Sequence, residues 1–270
     1  MEFIMLFSLG IIAGTIGSLV GLGGGIIIVP SLLYLQSLGL LAIPIEHQNA
    51  VGISLMAIIF TAVSSTIYNY KHKKVDIKSG LILFIGVGPA VILGSLVSEY
   101  INEKQFYILF GLIMLLTSYL LVLKDRIKPV KFKWNVIRFF EGEDGIIYEY
   151  GYNKYFGILL SALAGFLAGL LGIGGGAILV PMMVIIFRFP IHIATATSMF
   201  IILLSSTIGS ISHIFLGNII ITYVIYIGIG AYIGGKVGSF ISLKISNRLL
   251  INILQVIIII IAIQMIYKGL

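Results

Sequence analysis

The sequence predicts an all-α polytopic membrane protein built from two inverted repeats. Three observations predict it: an apolar composition, a duplicated glycine motif, and an uneven distribution of Lys and Arg among the loops. Of the 270 residues, 59% are hydrophobic and only 10% are charged, whereas a soluble domain carries about 25% charged residues. The apolar residues form long runs and not the narrow stripe of a soluble amphipathic helix. Long runs of this kind indicate helices that cross a bilayer.

Ten apolar segments are visible, five on each side of a polar central stretch. They lie at about 3–20, 24–41, 50–70, 79–98 and 105–123, and again at about 155–171, 175–187, 193–215, 219–243 and 249–267. A spanning helix needs about 20 apolar residues, and the first two segments of each half are short or marginal. They could be two short helices or a re-entrant hairpin. We therefore expect each repeat to contain a glycine-broken helical hairpin plus three spanning helices.

A glycine motif occurs twice with identical spacing. Residues 14–30 read GTIGSLVGLGGGIIIVP, and residues 165–181 read GFLAGLLGIGGGAILVP. The shared glycines are Gly21, Gly23, Gly24 and Gly25 in the first copy, and Gly172, Gly174, Gly175 and Gly176 in the second. Consecutive glycines destabilise a helix by about 1 kcal/mol each, and broken backbone at membrane depth is tolerated only where it lines a cavity or is buried in protein. Close helix packing is the alternative explanation.

The two breaks predict a binding site for a small anion. Glycine-interrupted segments at matched positions of two repeats are the best sequence indication of a transporter's binding site. We expect helices to begin at Ile26 and Ala177. Their N–H groups and positive dipole ends would then face the site and favour an anionic substrate.

The loops of the two halves carry opposite charge bias. The basic loop at 71–74 corresponds to the neutral loop at 213–218, and the net acidic loop at 99–104 corresponds to the basic loop at 244–248. By the positive-inside rule the basic loops are cytoplasmic. Equivalent loops then lie on opposite sides of the membrane, which predicts inverted repeats.

The central stretch differs from both halves. It contains the single Trp and a Glu-Asp-Gly turn between two aromatic, β-branched runs, a pattern typical of a β-hairpin. We expect membrane repeats at 1–124 and 155–270, joined by a cytoplasmic loop at 125–154. This loop is either a plain linker or a regulatory element.

Three polar side chains are further candidates for substrate contacts. Ser54 and Ser198 occupy matching positions in the segment after each glycine motif, although hydroxyls in helices often bond back to their own backbone. Lys236 is a cation well inside an apolar segment. Such a charge is a functional candidate by default, but a Lys near a helix end can also extend its ammonium group to the membrane surface.

Rows of small residues occur in the fourth and ninth segments. Such rows let helix backbones approach closely in lipid, so they could serve internal packing or a homodimer. The rows are Gly86, Ala90 and Gly94, and Gly230, Gly234 and Gly238.

Several function classes are disfavoured. The chain has no Cys, no H-E-x-x-H, no G-x-S-x-G and no Walker motif, so we expect neither a metal site nor a cofactor nor ATP hydrolysis by this chain. The net charge of +7 is better explained by basic cytoplasmic loops than by nucleic-acid binding. Residues 172–177 also match the dinucleotide pattern G-x-G-x-x-A, but they lack the βαβ context that the pattern requires.

The twin glycine motifs and the stretches Ala50–Ser54 and Ala194–Ser198 resemble the sulfite exporter TauE/SafE family. The resemblance covers nearly the whole chain except about 125–154. It implies a multi-pass plasma-membrane permease for sulfite or other organosulfur anions, such as sulfonates. We therefore expect a secondary transporter that works by alternating access. A passive anion channel is the alternative, and an intramembrane enzyme is a weaker one.

Overall fold

The computed structural model describes residues 2–123, 134–141, 147–242, 244–245 and 247–270. Within these residues it contains ten helices and one pair of strands. In the first half the helices are α1 Glu2–Val20, α2 Gly25–Ser37, α3 His47–Lys71, α4 Ile77–Ser98 and α5 Glu103–Leu123. The strands β1 Val136–Glu141 and β2 Ile147–Tyr152 follow. In the second half the helices are α6 Lys154–Leu171, α7 Gly176–Ile185, α8 Ile191–Phe215, α9 Ile221–Ser242 and α10 Asn247–Gly269.

The predicted all-α membrane fold is confirmed. Each predicted apolar segment is a helix, and six of the helices in the described residues are long and apolar enough to cross a bilayer: α1, α3, α4, α6, α8 and α9. The helices that follow the glycine breaks are short, with 13 residues in α2 and 10 in α7. At 1.5 Å per residue neither reaches the ~30 Å of a hydrocarbon core.

Each glycine-broken segment turns back toward the end at which it began. After α2, the Ala42 N–H donates to the Glu2 carboxylate at the start of α1, at 2.9 Å. After α7, the Phe187 carbonyl accepts from the Gly151 N–H just before α6, at 3.1 Å. The sequence left open whether these segments continue or return, and the structure shows that both form helical hairpins.

The rows of small residues lie where helix backbones touch. A Cβ atom added to Gly230 would collide with the Phe7 carbonyl, and one added to Gly86 would collide with the Ile158 carbonyl. Parallel pairs therefore form between α1 and α9 and between α4 and α6. The predicted close approach is confirmed, and the rows serve internal packing. A homodimer stays a prediction.

Equivalent helices of the two halves pack against each other in antiparallel pairs. On α3 and α8, Gly52 lies against His213 and Leu55 lies against Gly209. On α5 and α10, Gly111 lies against Ile266 while Gly269 lies against Ile108. The outer faces of the bundle are apolar, with exposed Leu81, Ile85 and Leu93 on α4 and Ile225, Ile229 and Ile233 on α9. Such a surface suits contact with lipid chains.

The central stretch contains the expected pair of strands. β1 and β2 are antiparallel, with Val136 opposite Tyr152 and Glu141 opposite Ile147. The pair is held to the helical bundle by Tyr152, whose ring lies 5.0 Å from that of Phe187. The predicted Glu-Asp-Gly turn at 143–145 lies outside the described residues. The domain boundaries and the cytoplasmic side of this stretch stay predictions.

Candidate functional site

The two glycine breaks meet inside the bundle. A Cβ atom added to Gly176 would lie 2.5 Å from the Gly21 carbonyl oxygen, and one added to Gly25 would lie even closer to the Gly172 carbonyl oxygen. Each break is therefore in backbone contact with the other. Only glycine leaves room for this approach, which explains why the motif contains glycine at these positions in both copies.

The breaks use backbone angles that glycine adopts readily. The φ angles are +80°, +81° and +98° at Gly21, Gly23 and Gly24. They are +71°, +71° and +82° at Gly172, Gly174 and Gly175. Left-handed backbone of this kind costs other residues about 1–2 kcal/mol. The next helices begin at Gly25 and Gly176, one residue before the predicted starts.

Where the next helix begins after each break, three consecutive N–H groups have no hydrogen-bond acceptor among the described residues. They belong to Gly24, Gly25 and Ile26 in the first break, and to Gly175, Gly176 and Ala177 in the second. All six residues are buried. The first N–H groups of a helix have no partner within the helix, and buried donors normally find an acceptor. Two helix N-termini thus place buried, unsatisfied donors in the two breaks that touch each other.

Ser54 and Ser198 each hold the break of the opposite repeat. The Ser54 hydroxyl donates to the Gly172 carbonyl, and the Ser198 hydroxyl donates to the Gly21 carbonyl, both at 2.8 Å. Both side chains are fully buried. Each hydroxyl has given its single hydrogen to a carbonyl and keeps only acceptor capacity. This geometry makes the two serines cross-repeat clamps, and their contact with a substrate stays a prediction.

Replacing Ser198 with alanine is expected to destabilise the fold by about 1–3 kcal/mol, because the buried Gly21 carbonyl loses this donor. For a chain of this size the thermal midpoint should fall by about 2–4 °C per kcal/mol. Ser212→Ala is the control, since that hydroxyl bonds only the Ile208 carbonyl of its own helix. The measurement is thermal unfolding of both variants in one detergent. Equal midpoints would contradict the clamp.

Two isoleucines that the sequence did not single out cover the meeting point of the breaks. Cβ atoms added to Gly23 and Gly174 would each lie 3.0–3.7 Å from methyl groups of both Ile58 and Ile202. Both isoleucines are fully buried. They stand four residues after Ser54 and Ser198 respectively. That matched spacing is the sequence signal that could have identified them.

Lys236 is not brought together with the glycines. Its side chain is exposed on the outer face of α9, between the exposed Ile233 and Val237, whereas the glycines of both breaks are buried. This position favours the alternative in which the ammonium group extends to the membrane surface. A contact between Lys236 and the substrate stays a prediction.

His213 is a buried polar residue at the far end of α8. Its Nε2 lies 3.4 Å from the Gly169 carbonyl oxygen, and its Nδ1 lies 3.1 Å from the Asn218 amide. The same amide donates to Glu99 at 2.6 Å. In the part of the chain that the structure describes, no three His, Cys, Asp or Glu side chains are grouped as a metal site.

Comparison with known families identifies the chain. The sequence model of the family described as "Sulfite exporter TauE/SafE" matches residues 6–265. The chain belongs to the sulfite exporter TauE/SafE family. As a TauE/SafE member whose described residues include six apolar helices long enough to span, it is a multi-pass membrane transporter. The match includes both glycine breaks and both serines described above.

Relatives of this TauE/SafE chain carry names that agree with the family. It is 46% identical over 270 residues to the "Probable membrane transporter protein YunE" of Bacillus subtilis, covering 100% of this chain and 99% of that relative. It is 26% identical over 261 residues to a probable membrane transporter protein of Methanocaldococcus jannaschii, covering 92% and 90% respectively. No solved structure matches the chain.

Proposed function

We propose that this TauE/SafE chain is a secondary transporter that moves sulfite or related organosulfur anions across the plasma membrane by alternating access. The observation that carries the proposal is the pair of buried N–H triplets where the two glycine breaks meet. Six unsatisfied donors from two helix N-termini form an environment that attracts negative charge. The proposal requires no cofactor and no reaction catalysed by this chain.

The donors suit a small oxyanion. A sulfite or sulfonate group presents three oxygens, each of which can accept hydrogen bonds from backbone N–H groups. The apolar residues Ile58 and Ile202 beside Gly23 and Gly174 exclude water, which strengthens hydrogen bonds to an anion. We propose that the substrate-binding glycines are Gly24, Gly25, Gly175 and Gly176. Gly21, Gly23, Gly172 and Gly174 shape the two breaks.

The antiparallel contacts between equivalent helices support inverted repeats and alternating access. Two antiparallel copies of a unit are related by an axis perpendicular to their helices, which for spanning helices lies in the membrane plane. The α3–α8 pair carries both isoleucines and both serine clamps. Rocking of one half against the other would separate α3 from α8 first on one membrane side of the breaks and then on the other, so that the site opens to one side at a time.

A passive anion channel is the second candidate, because the same N–H triplets would also serve a pore. The direct contact between the breaks favours a transporter, since the donors are enclosed and the two halves must move before an anion enters. Kinetics distinguish the two functions. A transporter saturates with substrate and is stimulated by substrate on the opposite side.

The test is flux of labelled sulfite into proteoliposomes with and without a pH gradient. We expect saturable flux that is accelerated by unlabelled sulfite inside the vesicles and is inhibited by a sulfonate such as sulfoacetate. Sulfate and taurine are further competitors that rank the anions. Flux that rises linearly with concentration and shows no trans-stimulation would replace the transporter by a channel. Absence of flux for every sulfur anion would refute the proposed substrate class.

A further inference from the structure

A basic pocket lies between the strand pair and the start of α4, apart from the glycine breaks. It has a volume of about 290 Å³, and its walls come from the α3–α4 loop, α4, both strands and α8. This volume is near the lower end of the range for small-molecule sites. The charged lining residues are Lys73, Lys74, Asp76, Lys78 and Arg138.

The single carboxylate of this lining is occupied by the protein itself. Asp76 accepts from the Ser79 N–H at 3.0 Å and from the Tyr150 hydroxyl at 3.1 Å. Burial, together with the Asp76 charge, raises the pKa of Tyr150, so its hydroxyl stays protonated and continues to donate. Asp76 therefore holds β2 to the first turn of α4, and the lining as a whole is strongly positive.

Arg138 has a donor without an acceptor. Its Nε is buried and, among the described residues, makes no hydrogen bond. It forms an ion pair with the Asp76 carboxylate at 3.8 Å, a separation that is too long for a hydrogen bond. Buried donors without partners are rare in folded proteins, and a guanidinium group matches the oxygens of a phosphate or carboxylate. Arg138 therefore keeps hydrogen-bonding capacity for the oxygens of an anion in this pocket.

We propose that this pocket binds a phosphate monoester group. Such a group carries two negative charges and three acceptor oxygens, which suits one guanidinium and the exposed ammonium groups of Lys73 and Lys78. Phe140 and Ile193 in the same lining supply an apolar wall for the organic part of the ester. The doubly charged phosphate is favoured over the singly charged sulfonate because the lining is so positive. The phosphate of phosphatidic acid and that of a soluble phosphorylated metabolite both provide this chemistry.

The pocket is connected to a glycine break through two hydrogen bonds. The Asp76 N–H donates to the Thr197 hydroxyl at 3.0 Å, and the adjacent Ser198 holds the Gly21 carbonyl. A ligand in the pocket would tie β1 and α4 together at the point where α4 contacts α8. It would thereby stabilise the arrangement in which Ser198 clamps the first break, which makes the pocket a regulatory site.

The test measures ligand-induced stabilisation of the purified full-length protein in two arms. In detergent, the probes are phenyl phosphate and, as the singly charged control, benzenesulfonate. In nanodiscs, phosphatidic acid, which is a monoester, is compared with phosphatidylglycerol, which is a diester. We expect phenyl phosphate or phosphatidic acid to raise the thermal midpoint more than its control does. A response to phenyl phosphate in detergent indicates a soluble ligand, and a response to phosphatidic acid in nanodiscs indicates a lipid.

Variants assign the effect to the pocket. Lys78 is exposed on the first turn of α4, so Lys78→Gln should fold normally and weaken monoester binding about tenfold, as for a lost charged hydrogen bond. Arg138→Gln should weaken it at least as much. Lys71→Gln is the matched control, because Lys71 is an exposed cation nearby that does not line the pocket. No stabilisation of the wild type in either arm, or equal loss with Lys71→Gln, would overturn the proposal.

Discussion

Replacing Gly175 with valine is expected to reduce sulfite flux at least tenfold while the protein still inserts into the membrane. Gly175 has a φ of +82°, and an added Cβ atom would lie 3.2 Å from the Ala164 carbonyl oxygen. A β-branched residue strongly disfavours this backbone region. The chain at the break should therefore rearrange, and the N–H groups of residues 175–177 would lose their common direction.

Gly217→Val provides the matched control for this experiment. Gly217 also has a positive φ, +78°, but an added Cβ atom would lie within 4 Å of no atom of the described residues. Both variants carry similar backbone strain, and only one alters the site. We expect Gly217→Val to keep most of its flux. The measurement is initial flux into proteoliposomes at equal protein content, with insertion checked by membrane fractionation. Normal flux in Gly175→Val would refute the role of the break.

Replacing Gly176 with alanine is expected to push the two breaks apart. Gly176 has no left-handed backbone, so alanine adds no φ strain, but its methyl group would lie 2.5 Å from the Gly21 carbonyl oxygen and 2.7 Å from the Leu22 Cα. Backbone atoms on both sides have little freedom to yield. Overpacking of this kind costs about 1–3 kcal/mol, and flux should fall because the two breaks that carry the N–H triplets are forced apart.

Gly88→Ala tests whether the effect is specific to the contact between the breaks. Gly88 is also helical and lies in α4, but the nearest atom to its added Cβ would be a ring carbon of Phe84 at 3.3 Å. This side chain can move, and alanine favours a helix over glycine by about 1 kcal/mol. Gly88→Ala should therefore keep the thermal midpoint and the flux of the wild type, whereas Gly176→Ala should lower both. If Gly176→Ala were as stable and as active as Gly88→Ala, the backbone contact would not matter for transport.

Much of the fold was predictable because a bilayer allows few solutions. Spanning segments must be apolar and helical, so the runs of apolar residues gave the helix bounds to within a few residues, as for α3 at His47–Lys71. The row Gly230, Gly234 and Gly238 similarly indicated a close backbone approach. Consecutive glycines located both breaks and the starts of α2 and α7.

The hydrogen-bond partners of the buried serines could not be predicted from the sequence. Ser54 bonds a carbonyl 118 residues away, and Ser198 bonds one 177 residues away. No local periodicity encodes which backbone a buried hydroxyl will face. The outward position of Lys236 and the pocket shared by Lys78 and Arg138 also depend on how distant helices and strands pack.

The amino-acid sequence alone predicted ten helices and the places where two apolar segments are broken, and its motifs indicated a transporter family. The helices and their breaks follow from composition and local backbone preference, which each segment carries alone, whereas the family follows from the resemblance of the glycine motifs. The return of both broken segments, the contact between the breaks, and the position of Ile58 and Ile202 over that contact became visible only in the folded molecule. The physical reason is that these features arise from close packing between the two halves, where a single methyl group at Gly25 or Gly176 would not fit.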